Sequence, residues 1–142
     1  MGSRTLALDI GDRWIGVALS DPTGLLATPL TVIRRTTEAA DVGAVIEIIE
    51  RQQVVRVIVG LPRSLSGQVG PQAAKVQQFA ERLAARTPVP LEFRDERLST
   101  VSAHRLMHEA GAKRAKRRTR DDAAAAAVIL QGYLDEMRDR PQ

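Results

Sequence analysis

Short apolar segments separated by turn residues dominate the first quarter of the chain and predict β-strands. The three segments are Thr5–Ile10, Trp14–Ser20 and Leu25–Ile33. Gly11 and Asp12 separate the first two, and residues of these types form the tight turn of a β-hairpin. The pattern therefore predicts a hairpin followed by a third strand.

The spacing of apolar residues then changes to that of a helix. Within Glu38–Gln52 the apolar residues recur at positions i, i+3, i+4 and i+7, as Val42, Val45, Ile46 and Ile49. The β-branched run Val54–Val59 predicts a buried strand. A loop rich in Gly, Pro and Ser from Gly60 to Gly70 leads to Pro71, a residue type favoured in the first turn of a helix.

The last third of the chain continues the alternation of strands and helices. Prolines at 88 and 90 precede a short strand at Leu91–Arg94. The next helix has Ser99 or Thr100 as its N-cap, and its inner face is Ala103, Leu106, Met107 and Ala110. An alanine-rich helix runs from about Asp121 to Met137. This order predicts an α/β fold, with a mixed sheet of about five strands flanked by helices, as a single domain over residues 1–142.

Composition narrows the classes of protein that this chain can represent. Its 142 residues include no cysteine, which excludes disulfides, thiolate metal sites and cysteine nucleophiles. Its longest apolar run, Ala123–Leu130, is much shorter than the roughly 20 residues of a membrane-spanning helix. Asp9 and Asp12 interrupt the first apolar run, so that run does not have the pattern of a secretory signal. We therefore expect a cytoplasmic protein that does not associate with membranes.

Positive charge is concentrated in one segment, which we name the basic stripe. The chain carries a net charge of +4, and the basic stripe consists of Lys113, Arg114, Lys116, Arg117, Arg118 and Arg120. No acidic residue interrupts it, and carboxylates flank it on both sides in the sequence. Such a segment is typical of a surface that binds nucleic-acid phosphates. The alternative is a solvated segment that stays extended through self-repulsion.

Acidic residues occur where three of the predicted elements begin or end. Asp9 ends the first strand, Asp95 and Glu96 follow the last strand, and Asp121 and Asp122 open the final helix. Side chains at the carboxyl ends of strands gather at one edge of an α/β sheet, where several carboxylates need cations to offset their repulsion. Mg²⁺ and similar ions take such oxygen ligands, and two of them can promote displacement at a phosphodiester. For Asp9 alone, capping of the Gly11 turn is an equally good explanation.

Four motifs in the same order resemble those of the YqgF/RuvX family. They are Leu8-Asp9-Ile10-Gly11 with Ile15–Asp21, Val59-Gly60-Leu61-Pro62 with Gly67, Gly70 and Pro71, Asp95–Thr100, and Asp122 followed by Val128-Ile129-Leu130-Gln131. The resemblance implies an RNase H-like fold related to the RuvC resolvases. It also implies a cytoplasmic, metal-dependent nuclease that matures the 5′ end of pre-16S rRNA, with the pre-ribosomal particle as a further partner.

The resemblance also implies roles for individual residues. Asp9, Glu96 and Asp122 match the family's acidic triad and would hold Mg²⁺ or Mn²⁺, and the distance to the Val128–Gln131 motif selects Asp122 over Asp121. Arg97 would either contact the scissile phosphate or pair with Asp95. Two positions depart from the family pattern: Asp12 replaces a small hydroxyl residue and Trp14 replaces a basic one.

Three other functions remain open at this point. The first is a resolvase of branched DNA, which would act as a homodimer, whereas the RNA nuclease could be a monomer or a homodimer. The second is a nucleotide-binding module of the actin and sugar-kinase type, and the third is an RNA-binding assembly factor without catalysis. His104 and His108 lie off the apolar face of their helix and do not predict a zinc site. We expect most of the four aromatic residues to be buried, which disfavours a base-stacking surface.

Overall fold

The computed structural model describes residues 3–62, 70–95 and 115–139. These residues form five strands and three helices. The strands are β1 (Arg4–Ile10), β2 (Trp14–Ser20), β3 (Ala27–Arg34), β4 (Val54–Leu61) and β5 (Leu91–Asp95), and the helices are α1 (Glu38–Arg51), α2 (Pro71–Ala84) and α3 (Ala115–Asp139). None of these helices has the length and apolar content needed to cross a lipid bilayer.

The five strands form one mixed sheet in the order β3-β2-β1-β4-β5. Short turns join β1 to β2 and β2 to β3, and both pairs are antiparallel. Longer connections that include α1 and α2 make β4 parallel to β1 and β5 parallel to β4. The prediction of an α/β fold with a mixed, five-stranded sheet is confirmed.

Side chains alternate between the two faces of the sheet along β1. Leu6, Leu8 and Ile10 of β1 belong to a core that β2 and β4 share with α1 and α2. Ala7 belongs to a second, smaller core, which contains Ala18 of β2, Ile58 of β4 and the apolar residues of α3. Because successive strand residues point to opposite faces, Asp9 lies on the α3 face with Ala7.

Helix α3 begins six residues earlier than the sequence predicted, at Ala115 instead of Asp121. The reason is that Lys and Arg are good helix formers and that no Gly or Pro follows Gly111 until Gly132. Much of the basic stripe is therefore helical. The predicted helix with its N-cap at Ser99 or Thr100 lies outside the described residues, as do His104 and His108.

The turn between β2 and β3 explains why β3 begins at Ala27 and not at Leu25. The Asp21 carboxylate accepts hydrogen bonds from the amides of Leu25 (2.9 Å) and Leu26 (3.1 Å), so these residues close a turn and do not pair with β2. The hydroxyl of Thr23 also donates to Asp21 and is the main reason that the pKa of this carboxyl lies below its ordinary value.

The expectation that most aromatic side chains are buried is wrong. Phe79 of α2 is buried, but Phe93 is 47% exposed because β5 is an edge strand. Trp14 and Tyr133 are only partly buried. Trp14 is the first residue of β2, where neighbouring strands no longer cover it on every side.

A buried carboxylate fixes the start of α1. Asp41 is 2% exposed and forms an ion pair with Arg35, whose Nε lies 3.0 Å from Oδ2. It also accepts hydrogen bonds from the amide of Thr36 (3.1 Å) and from the Thr36 hydroxyl (3.3 Å). A buried carboxylate is stable only with such partners, so these bonds tie α1 to the chain that leaves β3.

Asp41→Ala is expected to lower the free energy of unfolding by about 2–4 kcal/mol, because it leaves the Arg35 guanidinium and the Thr36 amide without their acceptor. Urea denaturation followed by circular dichroism measures this loss. Glu47→Ala is the matched control, since it removes the exposed partner of Arg51 on the same helix and is expected to cost less than about 0.5 kcal/mol. Equal losses for the two variants would contradict the role assigned to Asp41.

Candidate functional site

Asp9 occupies the carboxyl end of the central strand β1 and is 5% exposed. Its partner on β2 is Gly16, and the β1–β4 register, continued by one residue beyond Leu8 and Val59, brings Gly60 to its other side. Neither glycine carries a side chain, so the two positions directly opposite Asp9 on the flanking strands add no side-chain atoms beside it.

The turn that follows Asp9 is held by bonds that local sequence does not reveal. The amide of Gly11 donates to the carbonyl of Trp14 (2.9 Å), and Nη1 of Arg35 donates to the carbonyl of Gly11 (2.9 Å). The same guanidinium pairs with Asp41 and lies 5.3 Å from the ring centroid of Phe79 in α2. Arg35 thus links the turn after Asp9 to both α1 and α2.

Gly11 is required by close packing in this turn. A Cβ atom at this position would lie 3.1 Å from the carbonyl oxygen of Trp14, closer than most real contacts of that kind. The sequence predicts Gly11 as a turn residue but does not predict the role of Arg35. No sequence signal marked Arg35, because its acceptors come from separate parts of the chain.

Asp12, one of the two departures from the family pattern, has a cationic neighbour. Its Oδ1 lies 3.6 Å from Nζ of Lys75 in α2, and both side chains are 67% exposed. An exposed pair of this kind contributes little to stability. Lys75 nevertheless offsets part of the negative charge that Asp12 adds near Asp9.

Gln131 fixes the position of α3 along β3. Its Oε1 accepts from the amide of Ala27 (2.9 Å) and its Nε2 donates to the carbonyl of Leu25 (2.9 Å). Ala27 pairs with Ser20, whose Oγ accepts from the amide of Thr5 (2.9 Å). Gln131 therefore lies level with the amino end of β1.

The predicted site residues differ in how much of them the structure describes. Asp9 is described in full, and Asp122 belongs to α3. Glu96 and Arg97 lie outside the described residues. Asp95 ends β5 in register with Leu61, which belongs to the core on the α1 and α2 face. Asp95 therefore lies on the face opposite to that of Asp9.

The basic stripe is divided in the same way. Lys116, Arg117, Arg118 and Arg120 belong to the first two turns of α3, and Lys113 and Arg114 lie outside the described residues. Among residues 3–62, 70–95 and 115–139, no three His, Cys, Asp or Glu side chains form a group that could hold a metal ion. Asp9 is the described residue of the predicted triad whose carboxylate could contribute an oxygen ligand.

Comparison with known proteins relates the chain to one family and one fold. The family model described as "RuvX: Holliday junction resolvase" matches residues 3–136. Proteins named "Putative pre-16S rRNA nuclease" are similar: that of Roseiflexus sp. is 47% identical over 95% of this chain and 96% of its own length. The corresponding protein of Symbiobacterium thermophilum is 50% identical over 94% of this chain and 93% of its own.

Two solved structures share the fold. The structure of T. thermophilus RuvC in complex with Holliday junction substrate covers 96% of this chain and 97% of its own, with a TM-score of 0.60 and 16% identity. The fowlpox virus Holliday junction resolvase covers 94% of this chain and 99% of its own, with a TM-score of 0.56 and 14% identity. At these identities the likeness concerns the fold, and it confirms the predicted RuvC-related architecture.

Gln131→Ala is expected to lower the free energy of unfolding by about 1–3 kcal/mol, because it leaves the Ala27 amide and the Leu25 carbonyl without their partners. Hydrogen exchange of the Ala27 amide should accelerate as well, and both quantities are measurable on the purified chain. Gln78→Ala, at an exposed position of α2, is the control and should change stability by less than about 0.5 kcal/mol. An unchanged Ala27 exchange rate would contradict the assigned bonds.

Proposed function

The chain belongs to the RuvX family, and we propose that it is a cytoplasmic nuclease that hydrolyses phosphodiester bonds in structured RNA, with the 5′ end of pre-16S rRNA as its substrate. The resemblance that four sequence motifs predicted is confirmed by the family model and by relatives that are similar over nearly their whole length. The observation that carries the proposal is the buried carboxylate of Asp9 between Gly16 and Gly60 at the end of β1.

The course of α3 supports the inclusion of Asp122 in this site. Asp122 precedes Gln131 by nine residues, which is about 13.5 Å along a helix. Asp9 follows Thr5 by four residues, which is about 13 Å along a strand. Gln131 is level with Thr5, and we propose that α3 runs antiparallel to β1, so that its backbone at residue 122 would come to the level of Asp9.

Helical spacing supports Asp122 over Asp121. The residues four and seven positions after Asp122 are Ala126 and Ile129, which are 0% and 1% exposed. The corresponding residues after Asp121 are Ala125, which is 6% exposed, and Val128, which is only partly buried. Position 122 therefore shares the helix face that packs most closely on the sheet.

We propose that Asp9, Glu96 and Asp122 hold Mg²⁺ or Mn²⁺ through carboxylate oxygens, which are the ligands that these ions prefer. When bound, two such ions supply the charge that stabilises the transition state of phosphodiester hydrolysis. The chain itself buries Asp9 in a fixed position, and the residues opposite Asp9 on both neighbouring strands are glycines.

Asp95 does not fit this site, because it lies on the other face of the sheet. Pairing of Arg97 with Asp95, or contact of Arg97 with the scissile phosphate, remains a prediction.

The position of the basic stripe supports phosphate binding. Its residues from Lys116 to Arg120 lie in the first turns of α3, directly before Asp122, and that first turn contains no acidic residue. A cation at a helix N-terminus interacts unfavourably with the helix dipole and lowers the stability of the helix by about 0.3–1 kcal/mol. Binding of a polyanion would offset that cost. The basic stripe is therefore better explained by binding of a nucleic-acid substrate than by stabilisation of the helix.

The second candidate function is resolution of branched DNA, which the fold shared with RuvC favours. The same acidic site could serve both substrates. A resolvase would act as a homodimer that cuts two strands, whereas rRNA processing requires only one site. An RNA-binding assembly factor without catalysis, acting on the pre-ribosomal particle, is the third candidate.

Asp9→Asn is expected to reduce cleavage by at least about 10³-fold, because the substitution removes the charge that binds the ions while preserving the shape of the side chain. The assay compares a 5′-extended pre-16S rRNA fragment with a four-way DNA junction, each with Mg²⁺ or Mn²⁺. Binding of the RNA should change less than about threefold. Cleavage of the junction alone would establish the resolvase instead, and binding of RNA without cleavage by the unmodified chain would overturn the nuclease.

Replacing Lys116 and Arg120 together by Gln is expected to weaken RNA binding and to reduce the slope of log Kd against log[salt] by about 1.4–1.8, since each lost phosphate contact contributes about 0.7–0.9. The slope is measured by fluorescence anisotropy of labelled RNA at salt concentrations from about 50 to about 200 mM, a range that includes physiological ionic strength. Arg138→Gln, at the opposite end of α3, is the matched control and should leave the slope unchanged. An identical slope for all three proteins would contradict a phosphate-binding stripe.

A further inference from the structure

A cation–π pair lies on the same face of the sheet as Asp9, at the same end. Trp14 opens β2 and Arg34 closes β3, and the two residues are direct cross-strand partners. Cζ of Arg34 lies 5.9 Å from the centroid of the Trp14 ring. The contact holds the guanidinium beside the indole, so both groups are oriented before any ligand arrives.

Strand alternation places this pair next to Asp9. Gly16, the β2 partner of Asp9, follows Trp14 by two residues, and Ile15 between them belongs to the core on the opposite face. Trp14 is therefore on the Asp9 face, about 7 Å further along β2 than Gly16. Arg34 is on the same face, because it pairs with Trp14.

Both members of the pair are accessible to a ligand. Arg34 is exposed, and no carboxylate among the described residues forms an ion pair with it. Trp14 is partly exposed although it is the largest side chain in the protein. Arg13, also exposed, adds a further positive charge in the turn before Trp14. An aromatic ring beside an exposed arginine is a combination that binds single-stranded nucleic acid.

We propose that Trp14 and Arg34 bind an unpaired nucleotide of the substrate beside the scissile bond. The indole stacks on the base, and the Arg34 guanidinium contacts the adjoining phosphate. This inference rests on the proposed function, and it adds that the strand to be cut is unpaired at this nucleotide. Stacking uses the face of the base, which all four bases share. The contact therefore distinguishes an unpaired nucleotide from a paired one, but it does not distinguish one base from another.

The pair also has a purely structural explanation, since a cross-strand cation–π contact stabilises a β-hairpin. The two explanations differ in what they predict. A structural pair would alter the stability of the chain and leave substrate affinity unchanged. A binding pair would alter KM, while kcat would change little because neither residue lies in the acidic triad.

The chain itself provides a direct probe, because Trp14 is its one tryptophan. Titration of Asp9→Asn with an unlabelled single-stranded RNA should quench the tryptophan fluorescence with the same Kd that anisotropy gives for the labelled strand. A fully paired RNA duplex should quench it much less. Saturable binding in anisotropy with no change in tryptophan fluorescence would overturn the proposal.

The kinetic test uses Trp14→Ala, Trp14→Phe and Arg34→Ala in the otherwise unmodified chain. Trp14→Ala and Arg34→Ala are each expected to raise KM about tenfold with kcat changed less than about twofold, and Trp14→Phe should recover KM to within about threefold. Phe93→Ala is the matched control, an exposed aromatic residue on the opposite edge strand, and should leave KM unchanged. A KM within twofold of the unmodified chain for Trp14→Ala, at full cleavage activity, would overturn the proposal.

The two experiments separate this proposal from the proposed function. If the chain cleaves neither RNA nor the DNA junction but RNA quenches Trp14 saturably, the binding pair is supported and the nuclease fails. If RNA is cleaved and the Trp14 and Arg34 variants behave as the Phe93 control does, the nuclease is supported and the binding pair fails. Should Trp14→Ala not fold, the fluorescence titration and Arg34→Ala decide the question.

Discussion

The burial of one carboxylate at the end of the central strand is the constraint on which the rest of the structure depends. Asp9 is 5% exposed, and a carboxylate in that position must be compensated by neighbouring charges or donors. The surrounding chain is arranged accordingly: glycines stand opposite Asp9 on the flanking strands, Arg35 holds the following turn, and α3 covers the same face of the sheet. Each of these features restricts packing or conformational freedom, and together they keep Asp9 in place.

Small residues allow α3 to pack closely on the sheet. Ala7 and Ala18 on the sheet face Ala126 of the helix, so the two backbones can approach closely without large side chains between them. The bonds of Gln131 then fix the position of the helix along the strands. The alanine residues therefore determine the distance between the helix and the sheet, and Gln131 determines the position of the helix along the strands. This division of roles makes the position of residue 122 depend on contacts about two and a half turns away.

Most of the fold could be predicted from periodicity, because the strands alternate or are uniformly apolar and α1 and α2 have clear apolar faces. Boundaries were missed where side chains override local pattern: Asp21 captures the amides of Leu25 and Leu26, and α3 extends back through residues that a charge-based reading assigns to a loop. Asp9 was identified from its position after an apolar run. Arg35 could not be, because its acceptors are the carbonyl of Gly11 and the side chain of Asp41, and nothing in the local sequence relates these three residues.

Features that oppose stability include two at the carboxyl end of β1, and this is a physical reason to place function at that end. A buried carboxylate, cations at the start of a helix and a partly exposed tryptophan each cost free energy that a purely structural design would avoid. The carboxylate and the tryptophan lie on one face of the sheet, on β1 and β2, and the chemistry of the three features is complementary: an oxygen ligand for cations, positive charge for phosphates and a ring for a base. Elsewhere in the described chain, several charged side chains are paired with opposite charges, as between the exposed Glu47 and Arg51 or between the buried Asp41 and Arg35. The presence of a buried carboxylate and a partly exposed tryptophan at the carboxyl end of β1 thus points to the substrate rather than to the fold as its cause.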